Sequence, residues 1–454
     1  MRKLVLILLI IAFAFSVSFG ATDPDAQKVR YKSLDLKWLK ANGFWLTVNN
    51  FGQHGVDDGI TDAGGYWAYQ NGDAQYIYGA GMWFGAMIGT EKYVTSGYIS
   101  SDGSSEFTPG EIGTSYMDSQ YKVYLSSDGD WPLAEIKSVL DSYAVYHDAN
   151  TNPPLQSAGN VHTPLNIEVV QKTYEWNYPS NNDIIFVIYE VTNEGTGTLT
   201  DSYLGIVQDP DVGNAVDDMV GYDATYNIGY CYDNDGTESF GHAGYIGYDF
   251  LDSPDDGGGN PIGLTAFKIF SIDVAPVNDV QRYNLMSGWN MAGDVYNPFD
   301  VDSGPADKRF MMTTGPFDLD PGETANIVLA IIPGYELGDD TTLEVTGTDG
   351  RSYRTLVGNS IAAQFIFDNE WLLPSAPVKP AAVAQSLDRK VFISWGSAAE
   401  TTPDPYYAVA SDPGSAVYDP DYIEYDFAGY RVYRAMSPAG PWTEIADFDL
   451  SSLQ

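Results

Sequence analysis

The stretch QDPDVGNAVDDMVGYD (residues 208–223, called the acidic stretch below) concentrates carboxylates without a single lysine or arginine. Its aspartates are Asp209, Asp211, Asp217, Asp218 and Asp223. A second acidic turn, YDNDGTE, follows shortly afterwards and adds Asp233 and Asp235. Carboxylates at this density can bind a hard cation, take part in acid–base chemistry, or bond to the backbone of their own turns.

Calcium fits this pattern best, because Ca²⁺ takes several oxygen ligands on a loop that can wrap around it. Gly213 and Gly236 supply bends in the two segments. So many carboxylates in one place repel one another unless a cation lies between them. The sequence therefore predicts a structural Ca²⁺ site. Its predicted ligands are Asp209, Asp211, Asp217, Asp218, Asp223, Asp233 and Asp235.

Two other interpretations of these aspartates stay open. Each side chain could accept a hydrogen bond from the backbone two residues further on, which would make both segments ordinary solvated turns. A general acid or base would need a partner of different pKa and a cleft, and the sequence indicates neither. A glycosidase needs only two suitably separated carboxylates, and this chain offers too many to nominate a pair.

The sequence lacks the motifs of common enzymes. None of its four histidines stands in H-E-x-x-H, and there is no G-x-S-x-G turn and no phosphate-binding glycine loop with its lysine. The single cysteine, Cys231, lies between two tyrosines, a setting typical of a buried apolar residue. We therefore expect this chain not to be an enzyme.

The acidic segments must be positioned by β-strands. The sequence from Ile184 to Val191 predicts a strand, the turn Asn193–Leu199 follows, and DSYLGIV predicts a returning strand. ATYNIGYCY predicts the next strand, so the acidic stretch is expected to be the loop between two strands of a sandwich. Further strands are predicted in Asn42–Gly55, in Tyr76–Ser100 (two or three strands) and in Arg309–Gly334, and one short helix in Ser360–Leu373.

Composition favours an all-β fold with many turns. The chain has 46 Asp against 16 Glu, together with 46 Gly and 33 Tyr. A solvated helical surface would use Glu, whereas Asp and Gly favour turns and Tyr favours strands. A formal net charge of -40 excludes binding to nucleic acid or to an anionic membrane by charge attraction.

The N-terminus has the pattern of a secretory signal peptide. Arg2 and Lys3 precede an apolar run that ends near Phe15, and Ser18 and Gly20 are the small residues expected before cleavage at Ala21. We therefore expect residues 1–20 to be removed, with no membrane insertion afterwards. The predicted location is secreted and extracellular, with attachment to the cell surface as an option.

Three regions are predicted after the signal peptide. Residues 21–160 form a Gly- and aromatic-rich β domain, residues 161–374 a central β-sandwich with the Asp-rich loops, and residues 375–454 a smaller β domain. The last boundary rests on the proline-containing segment Leu373–Gln385. The predicted fold class is tandem β-sandwiches with one short helix and an incomplete final sandwich, since the chain stops before the expected closing strands.

Two sets of motifs resemble known proteins. KPAAVAQSLDRKVFISWG and DFAGYRVYRAMSPAGPWTEIADF, with Trp395 in the second strand, resemble the first half of a fibronectin type III domain. NNFGQHG, GAGMWFGAMIG, DPDVGNAVDDMVGYD and RFMMTTGPFDLDPGE, in this order, resemble large exported proteins of Bacteroidota and related bacteria that use type IX secretion. The second resemblance implies a surface-exposed or secreted multidomain β-protein and no established activity.

These observations predict a non-catalytic structural or adhesive protein, stabilised by calcium and bound to a surface or matrix partner. The main alternative is a carbohydrate-binding region of a polysaccharide-processing protein, because tryptophans such as Trp131 could present flat faces to sugar rings. A third hypothesis is the non-catalytic part of an enzyme whose catalytic domain lies beyond Gln454.

Overall fold

In a computed structural model of the chain, β-strands dominate and helices are few and short. The residues that the structure describes are 34–57, 64–67, 74–116, 118, 120–156, 161–178, 181–371, 373, 378, 380–413, 420–425, 427–435, 437 and 441–449. The predicted signal peptide lies outside them. The chain divides into two compact units, residues 1–364 and residues 365–454, and each is described by itself.

The first unit is built almost entirely from strands. From the N-terminus these are β1 (Leu36–Leu39), β2 (Phe44–Asn49), β3 (Gln53–His54), β4 (Gly65–Trp67), β5 (Gln75–Ile88), β6 (Glu91–Ser96), β7 (Thr108–Pro109), β8 (Tyr124–Leu125), β9 (Leu140–His147), β10 (Ile167–Glu175) and β11 (Ile185–Asn193). They continue with β12 (Leu199–Pro210), β13 (Asp218–Asp223), β14 (Ile228–Asp233), β15 (Thr237–Glu238), β16 (Gly241–His242), β17 (Tyr245–Asp252), β18 (Ala266–Phe270), β19 (Arg309–Leu319), β20 (Thr324–Gly334), β21 (Glu344–Thr346) and β22 (Ser352–Arg354). The α-helices are α1 (Asp279–Met286) and α2 (Leu356–Asp368), and short 3₁₀ turns occupy Ala215–Asp217 and Ile272–Val274.

Two large antiparallel sheets form this unit. The first has the order β1-β2-β3-β5-β12-β19-β18, with β4 beside β2 and β5 and with β6 beside β5. The second has the order β13-β14-β17-β20-β11-β10-β9-β7, with β8 beside β9. Because β12 belongs to the first sheet and β13 to the second, the chain crosses between the sheets within the acidic stretch.

The two sheets share one apolar core. Phe44 and Leu46 on β2 and Val187 and Tyr189 on β11 belong to the same buried cluster. Alternate residues of a strand point to the same face, which is why these positions are spaced by two. Burial of these faces against each other is the main favourable contribution to folding. The predicted β-sandwich is therefore confirmed.

The second unit contains two separate two-stranded sheets. Its elements are β23 (Val383–Leu387), β24 (Lys390–Ser394), α3 (Ala398–Thr401), α4 (Tyr407–Ala410), β25 (Gly429–Arg434) and β26 (Thr443–Asp449). The ring of Trp395, predicted to be a core residue, packs against Tyr430 at 5.2 Å and Phe448 at 5.7 Å between centroids. The fibronectin type III resemblance of this region stays a prediction.

The structure differs from the sequence-based expectations in two respects. The part of the chain that the structure describes has four short α-helices where one was expected, and the expected one spans Leu356–Asp368 rather than Ser360–Leu373. Both sheets also contain strands from either side of residue 160, since β5 pairs with β12 and β9 pairs with β10. The predicted boundary at that residue therefore lies inside one compact unit. Within the described chain, no helix has the length and apolar character that crossing a membrane requires.

Candidate functional site

The acidic stretch occupies three elements rather than one loop. Asp209 lies in β12, Asp211 and Asp217 lie in the connection that follows, and Asp218 and Asp223 are the first and last residues of β13. The prediction of a single loop is therefore wrong in its bounds, because strand pairing continues into both ends of the stretch. The aspartates are distributed over two groups of carboxylates.

Asp209 is fully buried, and its carboxylate accepts hydrogen bonds from two side chains of neighbouring elements. The guanidinium of Arg309 places Nε 2.9 Å from Oδ1 and donates from Nη2 to Oδ2 at 3.0 Å. The Tyr98 hydroxyl donates to the same Oδ2 at 3.0 Å. Only the Nη2–Oδ2 contact has hydrogen-bond geometry, and a charge-assisted hydrogen bond of this kind is stronger than one between neutral groups. Burial raises the pKa of Asp209 to about 6, and Arg309 and Tyr98 oppose that shift.

Two glycines of β5 make room for the Tyr98 ring. A Cβ atom at Gly79 would lie 2.6 Å from Cζ and the hydroxyl oxygen of Tyr98, and one at Gly81 would lie 2.7 Å from its Cβ. Gly79 and Gly81 therefore lie inside one strand, β5, and form the floor under the ring, while the predicted two or three strands of Tyr76–Ser100 are two, β5 and β6. Burial and the adjacent Asp209 raise the pKa of Tyr98, so its hydroxyl keeps the proton that it donates.

Asp211 and Asp307 complete what we call the cleft cluster, which consists of Asp209, Asp211, Asp307 and Arg309. The oxygens of the three carboxylates lie within 4.8 Å of one another. Arg309 also donates from Nη1 to Asp307, whereas Asp211 accepts only a 3.2 Å hydrogen bond from the Gln75 amide among the contacts resolved for its side chain. Burial, followed by the charges of Asp209 and Asp307, raises the pKa of Asp211 to about 8. Asp211 is therefore protonated at neutral pH.

The cleft cluster borders a cleft of about 950 Å³, which we call the Tyr78 cleft. Its lining includes Asn49, Gln53, Tyr78, Tyr98, Asp211 and Arg309. The Tyr78 ring is 43% exposed, although its neighbours along β5 are buried. The cleft therefore combines one exposed aromatic face with amide, carboxyl and guanidinium groups.

A second group, which we call the loop cluster, consists of Asp217, Asp233 and Glu238. One oxygen from each of these carboxylates also lies within 4.8 Å of the other two. Asp217 ends a 3₁₀ turn, Asp233 ends β14 and Glu238 lies in β15. The backbone connects these segments, since Asn234 N–H donates to the carbonyl oxygen of Asp217 at 3.1 Å. Glu238 Oε1 accepts from the Asn214 N–H at 2.7 Å.

Asp218 lies between the two clusters. It is paired with Asp233 across β13 and β14, and its Oδ2 accepts a 3.1 Å hydrogen bond from the Val212 N–H. Burial raises the pKa of Asp218 to about 9 against the effect of that hydrogen bond, and the charges of Asp211 and Asp233 add to the rise. The predicted residues Asp209, Asp211, Asp217, Asp218 and Asp233 thus gather in one region.

The structure does not bring the remaining two predicted ligands into either cluster. Asp223 lies at the far end of β13 and accepts a hydrogen bond from Thr225 N–H at 2.8 Å. Asp235 accepts from Thr237 N–H at 3.0 Å. In the described part of the chain, neither belongs to a group of carboxylates close enough to share a cation. Both side chains make the local turn bonds that the sequence left open as an alternative.

The predicted ligand set left out four residues of this region. Glu238 could have been included, because it stands in the same YDNDGTE turn as Asp233. Tyr98, Asp307 and Arg309 come from distant strands and loops, and no local pattern connects them with Asp209. Cys231 is buried on β14, as expected, and burial raises the pKa of its thiol, so an activated nucleophile is not indicated.

Comparisons with known proteins give distant likenesses only. No protein-family model and no curated protein matches the chain. A putative aldose 1-epimerase from Escherichia coli K12 is 11% identical, with a TM-score of 0.30, over 66% of this chain and 99% of its own. A heparan sulfate lyase from Pedobacter heparinus is 14% identical, with a TM-score of 0.21, over 48% of this chain and 26% of its own. A polysaccharide lyase is 10% identical, with a TM-score of 0.26, over 68% of this chain and 33% of its own.

These comparisons contradict one expectation. The structures named are carbohydrate-active enzymes with β-rich folds, so the prediction that this chain is not an enzyme is wrong on this evidence and is withdrawn. At these TM-scores we transfer no residue assignment from the neighbours. The resemblance to exported Bacteroidota proteins stays a prediction.

Proposed function

We propose that this protein binds a carbohydrate in the Tyr78 cleft. One observation carries the proposal, namely an exposed aromatic ring on the wall of a cleft that is otherwise rich in hydrogen-bonding groups. Sugars present apolar C–H faces to aromatic rings and hydroxyl edges to amides and carboxylates, so a binding site needs both kinds of group. Trp131, the tryptophan considered from the sequence, is half-buried and does not line this cleft, and Trp67, Trp83 and Trp176 are buried.

Polar groups of the cleft are held in place before any ligand arrives. Asn49 donates from its amide to Gln53 Oε1 at 3.0 Å, and Asn49 Oδ1 accepts from the backbone N–H groups of Phe51 and Gln53. Gln53 in turn donates to the carbonyl oxygen of Gly103 at 3.0 Å. Side chains fixed by such a network lose little entropy on binding, which favours affinity and specificity.

Acid–base turnover of the bound sugar is a second candidate function, favoured by the arrangement around Asp211. Asp209 is buried against Arg309 and ionised at neutral pH, whereas Asp211 lines the cleft and keeps its proton. Two carboxyl groups whose surroundings separate their pKa values are the usual basis of an acid and a base in one site. Asp211 is the residue that could exchange a proton with a sugar in the cleft.

Binding is tested by screening the purified protein on an array of polysaccharides and oligosaccharides. The variant Tyr78→Ala is then compared with the wild type by titration calorimetry against the best ligand. We expect binding to weaken by about fivefold or more, because stacking on an aromatic ring contributes about 1–3 kcal/mol. The matched control is Tyr433→Ala, since Tyr433 also lies on a strand and is 47% exposed but lies outside the cleft.

Two results would contradict the binding proposal. One is retention of no glycan by the wild-type protein. The other is an affinity of the Tyr78 variant equal to that of the Tyr433 control. Turnover is tested separately by incubating each bound glycan with wild-type protein and with Asp211→Asn. New reducing ends, unsaturated products or epimerised sugars are expected with the wild type only, and their absence would leave the protein a binding module.

Export of the protein stays a prediction from its N-terminal sequence. Expression of the full chain in a secreting host tests it by N-terminal sequencing of the protein in the medium. A mature N-terminus at Ala21 is expected. Retention of residues 1–20 on the recovered protein would contradict the predicted cleavage.

A further inference from the structure

The loop cluster gathers three acidic side chains with no positive partner. The ion pairs of the described residues include none of Asp217, Asp233 and Glu238. Lys308 and Arg309, the basic residues at the start of β19, pair with other carboxylates instead, as the bonds of Lys308 to Asp302 illustrate. Like charges at this separation repel one another unless a counter-charge lies between them.

A buried oxygen without a donor marks this place independently. Asp233 is 3% exposed, and its Oδ1 accepts hydrogen bonds from the N–H groups of Asp235 and Thr237. Its Oδ2 is buried and has no hydrogen-bond partner among the described residues, and the same is true of Asp217 Oδ1. Buried carboxylate oxygens are normally satisfied by donors or by a metal, because leaving them bare is costly.

We propose that the loop cluster binds one Ca²⁺ ion through carboxylate oxygens of Asp217, Asp233 and Glu238. The ligand atoms are all hard oxygens, which disfavours zinc and other metals that prefer nitrogen or sulfur. The three ligands come from two segments, the connection after β12 and the turn that follows β14. Ca²⁺ accepts such irregular sets of oxygens together with carbonyls and water, whereas Mg²⁺ demands near-octahedral geometry and gives up its waters reluctantly.

The bound ion connects two loops of the unit. Glu238 lies so close to Gly213 that a Cβ atom on Gly213 would be 2.4 Å from Glu238 Cδ. The Asn214 N–H bonds to the same carboxylate. The cation therefore clamps the turn after β14 onto the connection after β12. That connection also carries Asp211 to the Tyr78 cleft.

The test uses the full chain, stripped of metal with a chelator and then dialysed. Titration calorimetry with CaCl₂ is expected to show one site that is lost in the double variant Asp217→Asn, Glu238→Gln. The melting temperature of the wild type is expected to rise with CaCl₂. Asp235→Asn, in the same turn but outside the cluster, is the matched control and is expected to bind Ca²⁺ like the wild type.

Three results would overturn the proposal. The first is that CaCl₂ added to the wild type gives no heat of binding and no rise in melting temperature. The second is unchanged stoichiometry in the double variant or, if that variant does not fold, in Asp217→Asn alone. The third is equal binding of MgCl₂. None of these measurements involves carbohydrate, so they test the Ca²⁺ site independently of the proposed glycan binding.

Discussion

The cleft cluster and the loop cluster use the same kind of side chain and manage its charge in different ways. In the cleft cluster, Arg309 lies between Asp209 and Asp307, and burial leaves a proton on Asp211. In the loop cluster, backbone N–H groups bind two of the three carboxylates, and no guanidinium or ammonium group of the described chain pairs with them.

This difference shows that the number of acidic residues does not determine the chemistry of a group of carboxylates. A group with its own cation and access to a cleft can hold a proton where a ligand binds. A group without a cation, closed by turns, has the features of a structural metal site. The predictions below test whether the two clusters differ in this way, and they run from the largest expected effect to the smallest.

Removal of the guanidinium from the cleft cluster should have the largest effect. Arg309→Met leaves Asp209 buried without a positive partner. Breaking a buried ion pair by removing one member costs about 3–5 kcal/mol. We therefore expect the free energy of unfolding at neutral pH to fall by about that amount, as measured by chemical denaturation.

The control for this variant is Arg351→Met. Arg351 is mostly exposed and pairs with Asp349 at 3.5 Å on the surface, where an ion pair contributes little. Its replacement should leave the denaturation midpoint close to that of the wild type. If the two variants lose similar stability, the cleft cluster does not depend on its own cation, and the distinction between the clusters disappears.

Many of the strands could be predicted because short segments of the sequence contain the residue types that favour them. The strands β11, β12 and β14 fall where β-branched and aromatic residues predict them, and β19 and β20 occupy the predicted segment Arg309–Gly334. Two strands, β5 and β6, lie within Tyr76–Ser100 as predicted, but the sequence does not indicate the role of the glycines inside β5. In the structure two of them accommodate the Tyr98 ring, a contact that no local window contains.

The candidate sites could be predicted only where their residues are close in sequence. Asp233 could be predicted to lie near the acidic stretch because the two segments are close in the chain. The pairing of β13 with β14 brings them together in the structure. Arg309 is 100 positions from Asp209, and Tyr98 is 111 positions from it. Only the pairing of β12 with β5 and β19 brings these groups together. The sequence therefore indicated the carboxylates but not the partners that distinguish their roles.

Gly213→Ala should disrupt the loop cluster and lower the free energy of unfolding by less than Arg309→Met does. Gly213 has φ +70°, and Gly213→Ala would add strain from the left-handed backbone and displace the Glu238 carboxylate. We expect a loss of about 2–3 kcal/mol in the presence of CaCl₂, of which the backbone strain accounts for about 1–2 kcal/mol. The rise in melting temperature on adding CaCl₂ should disappear.

Gly322→Ala separates these two effects. Gly322 has φ +77°, and a Cβ atom there would meet no atom within 4 Å, so that variant suffers backbone strain alone. It should lose about 1–2 kcal/mol and keep its full response to CaCl₂. If the Gly213 variant still responds to CaCl₂ like the wild type, Glu238 is not a ligand of the cation.

The effect of Asp211→Asn is the smallest of all at pH 4 and grows with pH. The pKa of Asp211 is raised from 3.8 to about 8 in the folded protein. A carboxyl group with a raised folded-state pKa contributes stability below about pH 4 that is lost as the pH rises toward 8. Asparagine does not ionise, so the variant should equal the wild type near pH 4 and become increasingly more stable than it as the pH rises toward 8.

Denaturation in calcium-free buffer at both pH values measures this difference. Asp223→Asn is the control, since Asp223 makes only a turn bond and lies outside both clusters. The stability of Asp223→Asn relative to the wild type should change little between the two pH values. If Asp211→Asn is instead less stable than the wild type at pH 8, an ionised Asp211 is stabilised in the cleft. The cleft cluster would then hold a cation rather than a proton, as we propose for the loop cluster, and Asp211 could not serve as a proton donor.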